Sequence, residues 1–311
     1  MSFRIEINPE LKMKSDIMFK AFYGRKENEE FLQDFLEAVL GEKIEIKKVM
    51  HDVRLEQLAK EQKFGILDLG VELEDGEFIN VEIQIKNYKN IEKRTTFYAC
   101  KKLIEQLGPG EDYRQLKPTI IIAILDYSFI KLPEYITETV RVVKEHREYE
   151  INNDVKYYYI ELEKFRNQNP DMTKRINQWS AFLDMERSDL LEMACKENDK
   201  VKRAVENYEV LTGDEEVKRL AEIRLMSKLE EKSALDCARE EGLEQGLKRG
   251  KKEIAQKLKK QKMPAKQIAE ITGLSEVEIE NLKWTMKKID YDEVKNHSRF
   301  FCIIEITTQI D

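Results

Sequence analysis

The chain of 311 residues is 41% hydrophobic and 37% charged, and its formal net charge at pH 7 is -7. This length is enough for one good core with appendages, and the high charged fraction predicts a charged helical extension beside that core. The negative net charge argues against a protein that coats nucleic acid non-specifically, although a local basic patch could still bind phosphates.

Two further features of the sequence limit the class of protein. They are the use of cysteine and histidine and the lack of long apolar runs. Four cysteines without a C-x-x-C motif and three scattered histidines argue against zinc sites and disulfide frameworks. The N-terminus has no signal-peptide pattern, and no apolar run approaches the roughly 20 residues that span a bilayer. We therefore expect a cytoplasmic protein without a membrane partner.

The N-terminal part of the sequence predicts two helices followed by a strand. Residues 11–40 have helical periodicity, and Ser15 or Asp16 is placed to cap the first helix. The second helix has a clear apolar stripe and is predicted to end at Gly41. Apolar residues within 44–53 then indicate the first strand, which a charged stretch separates from the next segment.

Residues 66–86 alternate between apolar and mostly polar side chains on both sides of a tight turn, which predicts a β-hairpin. A two-residue turn would set the acidic Asp68 opposite a core isoleucine, because a one-residue slip exchanges the two faces. A three-residue turn, in which Gly76 adopts the left-handed conformation, sets Asp68 opposite Glu82 instead. We predict the second register, since it keeps one face of the hairpin apolar.

The other face of the predicted hairpin has the composition of a metal site. Two carboxylates that face each other on adjacent strands repel by about 0.2–1 kcal/mol in water and by more when shielded. Magnesium is the commonest cation where one or two carboxylates meet a substrate phosphate. An ordinary solvent-exposed face is the alternative, but Gly70 leaves space for another group to approach. The residues on this face are Asp68, Gly70, Asn80, Glu82, Gln84 and Lys86.

The segments that follow the hairpin predict a helix and two further strands. Residues 91–107 have a helical apolar stripe, which a Gly-Pro-Gly sequence closes. The uninterrupted apolar run at 118–125 is typical of a central strand that is covered on both faces. Residues 155–162 include three consecutive tyrosines and predict a last strand, in which sheet packing is favoured over the stacking of bases.

The C-terminal part is predicted to be helical. Residues 170–229 have helical periodicity throughout and are interpreted as a satellite lobe. Glycines then recur at every fourth position, which indicates either the close approach of another helix or a weak linker. The basic stretch that follows is a strip that attracts phosphates or simply a solvated face. The glycines are Gly242, Gly246 and Gly250.

Residues 264–283 fit a helix-turn-helix, in which Ser275 and Glu278 form a capping box at the start of the second helix. Glutamates at the start of that helix would repel phosphates, so an assembly or docking role is favoured over the reading of bases. The C-terminal helices are therefore candidates for homo-oligomer contacts. The tail at 286–311 contains a short β-like run at 300–306 and is not assigned.

A set of ordered motifs surrounds the predicted hairpin. They are Asp16 in KSDIMFKAFYG, Asp68 in GILDLG, Glu82 and Gln84 in NVEIQIKN, and Arg94 and Tyr98 in RTTFYACKKL. Together they resemble the recombination-promoting nuclease family of transposase-like proteins, which lies within the PD-(D/E)XK nuclease superfamily. The resemblance covers residues 10–165, and the glycine-spaced tail with its helix-turn-helix pattern also resembles members of that family.

For the fold, the resemblance implies an α/β class with a mixed central sheet flanked by helices, a restriction-endonuclease-like core, and an α-helical C-terminal extension. The chain is divided accordingly into five segments. They are 1–168 as the nuclease-like core, 169–240 as a helical lobe, 241–263 as a glycine-spaced basic helix or linker, 264–285 as the helix-turn-helix-like segment, and 286–311 as the tail.

The resemblance also implies an activity, the metal-dependent cleavage of DNA by an endonuclease linked to recombination or mobile elements. Asp68 and Glu82 would bind Mg2+ or another divalent cation, which lowers the pKa of a water and offsets charge on the scissile phosphate. Asp16 would complete the ligand set or hold a second metal, with a helix N-cap as its alternative role. Gln84 stands where the superfamily usually has lysine, and it would orient a water or phosphate without supplying charge.

Three further residues are implied as contacts of the substrate phosphate. Lys86 lies two residues after Gln84 on the same predicted face and would replace the usual lysine. Arg94 and Tyr98 are one helical turn apart and would both face the phosphate, unless Tyr98 simply packs.

Two other functions stay open at the level of sequence. A nuclease scaffold with little or no activity would act as a DNA-binding or assembly module through its C-terminal helices. The second is a metal-dependent hydrolase of RNA or nucleotides, because the sequence names no residue that reads a 2′-hydroxyl.

Overall fold

The computed structural model describes residues 9–54, 66–151 and 154–282 of the chain. The chain divides into two compact units, Met1–Leu229 and Glu230–Asp311. The first unit contains a six-stranded mixed sheet flanked by helices, and the second is helical in its described part. The predicted α/β class with a helical C-terminal extension is therefore confirmed.

Three predicted features fall outside the described residues. They are the charged stretch at 54–63 apart from its first residue, the tail at 286–311 and the β-like run at 300–306. None of the helices in the described ranges combines the length and apolarity needed to cross a membrane.

All the described strands lie in the first unit. The strands are β1 (Ile46–Arg54), β2 (Ile66–Leu73), β3 (Phe78–Gln84), β4 (Thr119–Leu125), β5 (Ile136–Thr139), β6 (Val142–Val143), β7 (His146–Glu150) and β8 (Val155–Glu161). The helices of the chain are α1 (Asp16–Tyr23), α2 (Glu29–Leu40), α3 (Ile91–Ile104), α4 (Leu162–Arg166), α5 (Arg175–Asp184), α6 (Ser188–Glu197), α7 (Asp199–Thr212), α8 (Glu215–Lys260), α9 (Ala265–Thr272) and α10 (Glu276–Glu280).

The large sheet has the strand order β1-β2-β3-β4-β8-β5. The outer pairs β1/β2, β2/β3 and β5/β8 are antiparallel, whereas β3/β4 and β4/β8 are parallel. Every residue of β4 is buried, as predicted for a central strand. Because β3 and β4 are parallel, the chain must cross over between them, and α3 makes this crossover.

The hairpin of β2 and β3 has the predicted register. Leu69 pairs with Val81, and the alternation on both sides follows from this pairing. The turn has three residues and ends at Gly76, which is left-handed with φ of 91° and whose N–H donates to the Leu73 carbonyl at 3.0 Å. The Leu73 N–H in turn donates to the Glu77 carbonyl at 2.9 Å, which closes the loop.

Helices cover the sheet on both faces. The face that carries Leu69 packs against a large aromatic cluster from α1, α2 and α5. The opposite face, to which strand alternation turns Glu82, is covered by α3. There Tyr98 packs against Phe78, and Ile91 packs against residues of β4 and β8.

The helices after Pro170 pack into this same core. The sequence pattern predicts a separate satellite lobe instead. The Trp179 ring of α5 lies 6.4 Å from the Phe35 ring, and the Phe182 ring lies 5.3 Å from the Phe22 ring. Sequence periodicity locates the apolar stripe of such a helix but not the surface on which the stripe packs. The boundary between the two compact units consequently falls inside α8, after Leu229.

Two further differences from the sequence analysis concern local structure. Helix α3 ends at Ile104, three residues before the predicted end at 107, and the Gly-Pro-Gly sequence lies in the loop. The pattern of the sequence does not predict β5, β6 and β7. The last of these is exposed along its whole length, so it lacks the apolar alternation that reveals a strand.

The second unit contains the predicted helix-turn-helix segment. Helices α9 and α10 are separated by Gly273, which is left-handed with φ of 66°. Ser275 and Glu278 form the predicted capping box at the start of α10. The apolar core of this unit consists of Ala255, Ile268, Leu274 and Ile279.

Candidate active site

Glu82 lies in the middle of the polar face of the sheet. Its backbone partner on the buried strand β4 is Ala123, and its own side chain is 0% exposed. Alternation along β3 turns Val81 and Ile83 toward the aromatic core and leaves Glu82 beneath α3. A carboxylate without solvent at this position needs a polar partner.

Arg94 of α3 supplies that partner. Its Nη2 donates a hydrogen bond to Glu82 Oε2 at 2.9 Å, and its guanidinium carbon lies 5.3 Å from the centre of the Tyr98 ring. Asn80 donates from Nδ2 to Glu82 Oε1 at 3.4 Å. The one-turn spacing of Arg94 and Tyr98 thus places a cation on the buried carboxylate and an aromatic ring against the cation.

Asp68 of β2 lies beside the same segment of β3. Its Oδ2 accepts a hydrogen bond from the backbone N–H of Ile83 at 3.1 Å, one residue after Glu82. Its Oδ1 lies 3.4 Å from Nζ of Lys20, which comes from α1. The hairpin register therefore brings Asp68 next to Glu82, with Lys20 and Arg94 as their cations.

The environment of both carboxylates favours the protonated form. Burial is the main cause of the raised pKa of Glu82, and the charge of Asp68 raises this pKa further. Burial also raises the pKa of Asp68, against the lowering effect of the Lys20 ammonium group. Since two like charges in one shielded site repel, an added cation would be favoured here.

Asp16 begins α1, and its charge reaches the same site. Ser15 rather than Asp16 is the N-cap, because the Ser15 side chain accepts the N–H of Met18 at 3.1 Å. Asp16 Oδ2 pairs with Arg224 of α8 at 3.0 Å. Its Oδ1 is buried and has no hydrogen-bond partner among the described residues. After burial, the charge of Asp16 also contributes to the raised pKa of Asp68.

Gln84 and Lys86 lie at and beyond the end of β3. Gln84 is the last residue of the strand and has a half-buried, neutral side chain. Its carbonyl accepts the backbone N–H of Asp126 at 2.9 Å. Lys86 is exposed and follows the strand by two residues, so the strand alternation that would align it with Glu82 does not extend to it.

Besides Arg224, Lys20 is the residue of this site that the sequence does not reveal. It lies one helical turn after Asp16 on α1, so the two side chains share one face of the helix. This four-residue spacing of an acid and a base is visible in the sequence. The same spacing is common on solvated helices, however, and it does not indicate which surface the pair meets.

The oxygen donors around Asp68 and Glu82 suit a hard divalent cation. Two buried oxygens nearby, Asp16 Oδ1 and Asn80 Oδ1, have no hydrogen-bond partner within the described ranges. Across those ranges, no three histidine, cysteine or carboxylate side chains are already arranged to hold a metal ion. A metal would therefore require ion pairs to open. The cations now paired with the three carboxylates are Lys20, Arg94 and Arg224.

A second ionic cluster lies at the end of β4. Asp184, at the end of α5, is 1% exposed, and its Oδ1 lies 3.4 Å from Nε of Arg166. Arg166 and Lys14 both pair with Asp126, the residue after β4, and Lys14 also pairs with Glu186 at 3.1 Å. Burial raises the pKa of Asp184 to about 6. This cluster joins the sheet to α5.

Comparison with known proteins establishes the family. A family model described as PD-(D/E)XK nuclease family transposase matches residues 13–238. The chain belongs to this family. The match begins before α1 and ends inside α8, so it contains the whole candidate site and the helices that follow the sheet. No curated protein and no solved structure matches the chain significantly.

Membership of the PD-(D/E)XK nuclease family implies a nuclease with a DNA substrate, and nucleases of this superfamily generally use divalent metal ions. The oxygen donors of Asp68, Glu82 and Asp16 fit that general requirement. Gln84 is the departure from the superfamily pattern, because a neutral amide stands at the end of β3 where lysine is usual.

Proposed function

We propose that this member of the PD-(D/E)XK nuclease family is a Mg2+-dependent DNA endonuclease that acts in recombination or mobile-element transfer in the cytoplasm. The observation that carries the proposal is the shielded pair of Asp68 and Glu82 on adjacent strands. Both carboxylates have raised pKa values because of burial, so a divalent cation would relieve their repulsion. The free thiols of the described cysteines suit a reducing compartment.

Each residue of the candidate site would have its own role in cleavage. Asp68 and Glu82 would hold the divalent ion, with the unpaired oxygen of Asp16 as a further ligand. When bound, such an ion supplies a water of lowered pKa and positive charge at the scissile phosphate. Gln84 would orient the attacking water through its amide, which can both donate and accept. Arg94 would hold Glu82 in place, so the phosphate contact that the sequence predicts for it would be indirect.

Lys86 and Tyr98 would have outer roles in substrate binding. The exposed Lys86, beyond the end of β3, would contact DNA phosphates away from the cleaved bond. Tyr98 is buried against Phe78, so it would position the Arg94 guanidinium rather than touch DNA.

Incubation of the purified protein with supercoiled plasmid, linear DNA and RNA, each with Mg2+ and with EDTA, tests the proposal. We expect nicking and linearisation of the plasmid in Mg2+ and no cleavage in EDTA. Cleavage of RNA alone would favour a ribonuclease instead. An intact plasmid under every divalent metal would contradict an endonuclease and favour a binding or assembly protein.

The second candidate function is assembly through the C-terminal helices, and the surface of α8 favours it. Residues 230–249 are exposed along the whole segment, including Leu243 at 67% and Leu247 at 58%. A Cβ added at Gly242 or Gly246 would meet open space. Each helical glycine costs about 1 kcal/mol relative to alanine, so this exposed helix lacks stabilisation from the described chain.

The occupant that fits this surface is an antiparallel second copy of α8. A two-fold axis at Gly246 sets Gly242 opposite Gly250 of the partner subunit, where two backbones can approach closely. The same axis sets the exposed basic Arg239 opposite the exposed acidic Glu253 of the partner subunit, each three residues from a glycine and so on the same helical face. A two-fold interface of this kind is self-complementary, since each contact occurs twice.

Light scattering after size-exclusion chromatography tests this assembly. We expect a dimer that dissociates when Arg239 is replaced by glutamate. Dimers should return when Glu253→Arg is added, because the charge pattern is then inverted rather than lost. A wild-type monomer at all salt concentrations would contradict the assembly.

A further inference from the structure

The candidate site needs a cation that can meet the substrate phosphate. Carboxylates alone repel a phosphodiester, and the superfamily usually supplies a lysine at the end of the strand. Here Gln84 is neutral at that position, and Lys86 is exposed beyond β3. Arg94 is engaged with the fully buried Glu82 at 2.9 Å and lies against Tyr98. Among the described residues, the polar face of the sheet thus places no lysine at the Asp68 carboxylate.

We propose that Lys20 of α1 is the residue that binds the scissile phosphate at Asp68. Its Nζ lies 3.4 Å from Asp68 Oδ1, so a cation is already present on the helix that borders the site. The inference rests on the proposed function, because it assumes that nucleic acid reaches this carboxylate pair. It goes beyond that function by assigning the phosphate contact to α1 instead of β3.

Exposure supports this role for Lys20. Its side chain is 22% exposed and that of Asp68 is 13% exposed, whereas Glu82 has no exposed side-chain surface. The Asp68 end of the carboxylate pair is therefore the end that a phosphate reaches first. A lysine has a flexible stem of four carbons and a compact charge with three donors, so a small rotation transfers its ammonium group from carboxylate to phosphate.

The position of Lys20 on α1 links it to the proposed metal ligands. Asp16 lies one turn earlier on the same face of α1, and the Lys20 Nζ lies 3.4 Å from Oδ1 of Asp68. When a divalent ion neutralises Asp68, that carboxylate no longer needs Lys20 as its counter-ion. The ammonium group is then no longer held by Asp68, so phosphate binding by Lys20 should depend on the metal.

Salt-dependent DNA binding tests the proposal. A short fluorescein-labelled duplex is titrated in Ca2+ with the wild type, Lys20→Met, Lys20→Arg and Lys26→Met, the last being an exposed lysine just after α1. Gels confirm that the DNA stays intact, and thermal unfolding confirms that each variant folds. Lys20→Gln replaces Lys20→Met if the latter does not fold.

A phosphate contact predicts a specific change in slope. Removing one such contact lowers the slope of log affinity against log salt by about 0.9, and a purely structural residue leaves the slope unchanged. We expect this decrease for Lys20→Met in Ca2+ but not in EDTA, and wild-type slopes for Lys20→Arg and Lys26→Met. An unchanged slope for Lys20→Met in Ca2+ would overturn the inference. A lack of plasmid cleavage by the wild type would overturn the proposed nuclease but not the slope result, so the two failures are distinguishable.

Discussion

Arg94 of α3 and Glu82 of β3 form the innermost ion pair of the candidate site, with Nη2 and Oε2 2.9 Å apart. The Glu82 side chain is fully buried, whereas that of Arg94 is 32% exposed. The pair therefore connects a carboxylate in the sheet to the surface of α3. It also shows that protein cations neutralise the site before any metal is added.

Arg94→Met should destabilise the protein more at about pH 9.5 than at about pH 6, because burial and the charge of Asp68 raise the pKa of Glu82 to about 8 and only the ionised Glu82 needs a counter-ion. Breaking a buried ion pair costs about 3–5 kcal/mol, and partial exposure of Arg94 reduces our expectation to about 1–3 kcal/mol at the higher pH. Urea unfolding of the variant and the wild type at the two pH values measures the difference. In a Glu82→Gln background, Arg94→Met should cost much less, and an equal cost in both backgrounds would contradict the pairing.

Asp184→Asn should stabilise the protein at about pH 8, by about 1–3 kcal/mol, because burial raises the pKa of Asp184 to about 6. A carboxyl whose pKa is higher in the folded state than in the unfolded state binds more protons when folded. The wild type therefore loses stability as the pH rises from about 4 to about 6, and asparagine removes this loss. Urea unfolding checks the pH dependence, with the exposed Glu192→Gln as the control. A destabilised Asp184→Asn at high pH would show that Arg166 needs the charge.

The sequence predicts the hairpin register because two local features agree. A glycine stands where the turn needs a left-handed residue, and only the three-residue turn keeps Asp68 and Glu82 on the same side. Both features lie within about twenty residues of each other in the chain, so no tertiary information is required.

The cations of the site are not predictable in the same way. Lys20 and Arg224 reach the carboxylates from α1 and α8, which are distant from β2 and β3 in sequence. Their spacing in the sequence is that of ordinary solvated helices, and only the packing of those helices on the sheet gives them their role. The helices after Pro170 follow the same rule, since their apolar stripes do not indicate the surface that they cover.

Gly76→Ala should destabilise the hairpin by about 1–2 kcal/mol, because an L-residue is strained in the left-handed conformation. Gly76 has φ of 91°, and a Cβ there would lie 3.3 Å from Cγ of Lys117, a flexible side chain that can move. The cost should therefore come from the backbone. Urea unfolding measures it, with Gly108→Ala as the control, since a Cβ at Gly108 would make only an ordinary contact at 3.5 Å. Equal stability of the two variants would contradict the turn assignment.

Mn2+ should raise the midpoint of thermal unfolding of the wild type, because a ligand that binds only the folded state stabilises that state. At a metal concentration of a hundred times the dissociation constant, the stabilisation is about 2.7 kcal/mol. Asp68→Asn and Glu82→Gln should each abolish most of this increase, whereas the exposed Glu92→Gln on α3 should keep it. If all three variants respond to Mn2+ as the wild type does, the metal binds elsewhere.

The central claim is tested most directly by the rate at which supercoiled plasmid is cleaved in Mg2+. The rates of Asp68→Asn and Glu82→Gln are compared with those of the wild type and of Glu92→Gln. Loss of a group that holds the metal should lower the rate by about 10²-fold or more in each site variant, since the charge at the scissile phosphate is then no longer offset. Glu92→Gln should cleave at the wild-type rate. Cleavage at the wild-type rate by the double variant of Asp68 and Glu82 would contradict the assignment of this carboxylate pair as the active site.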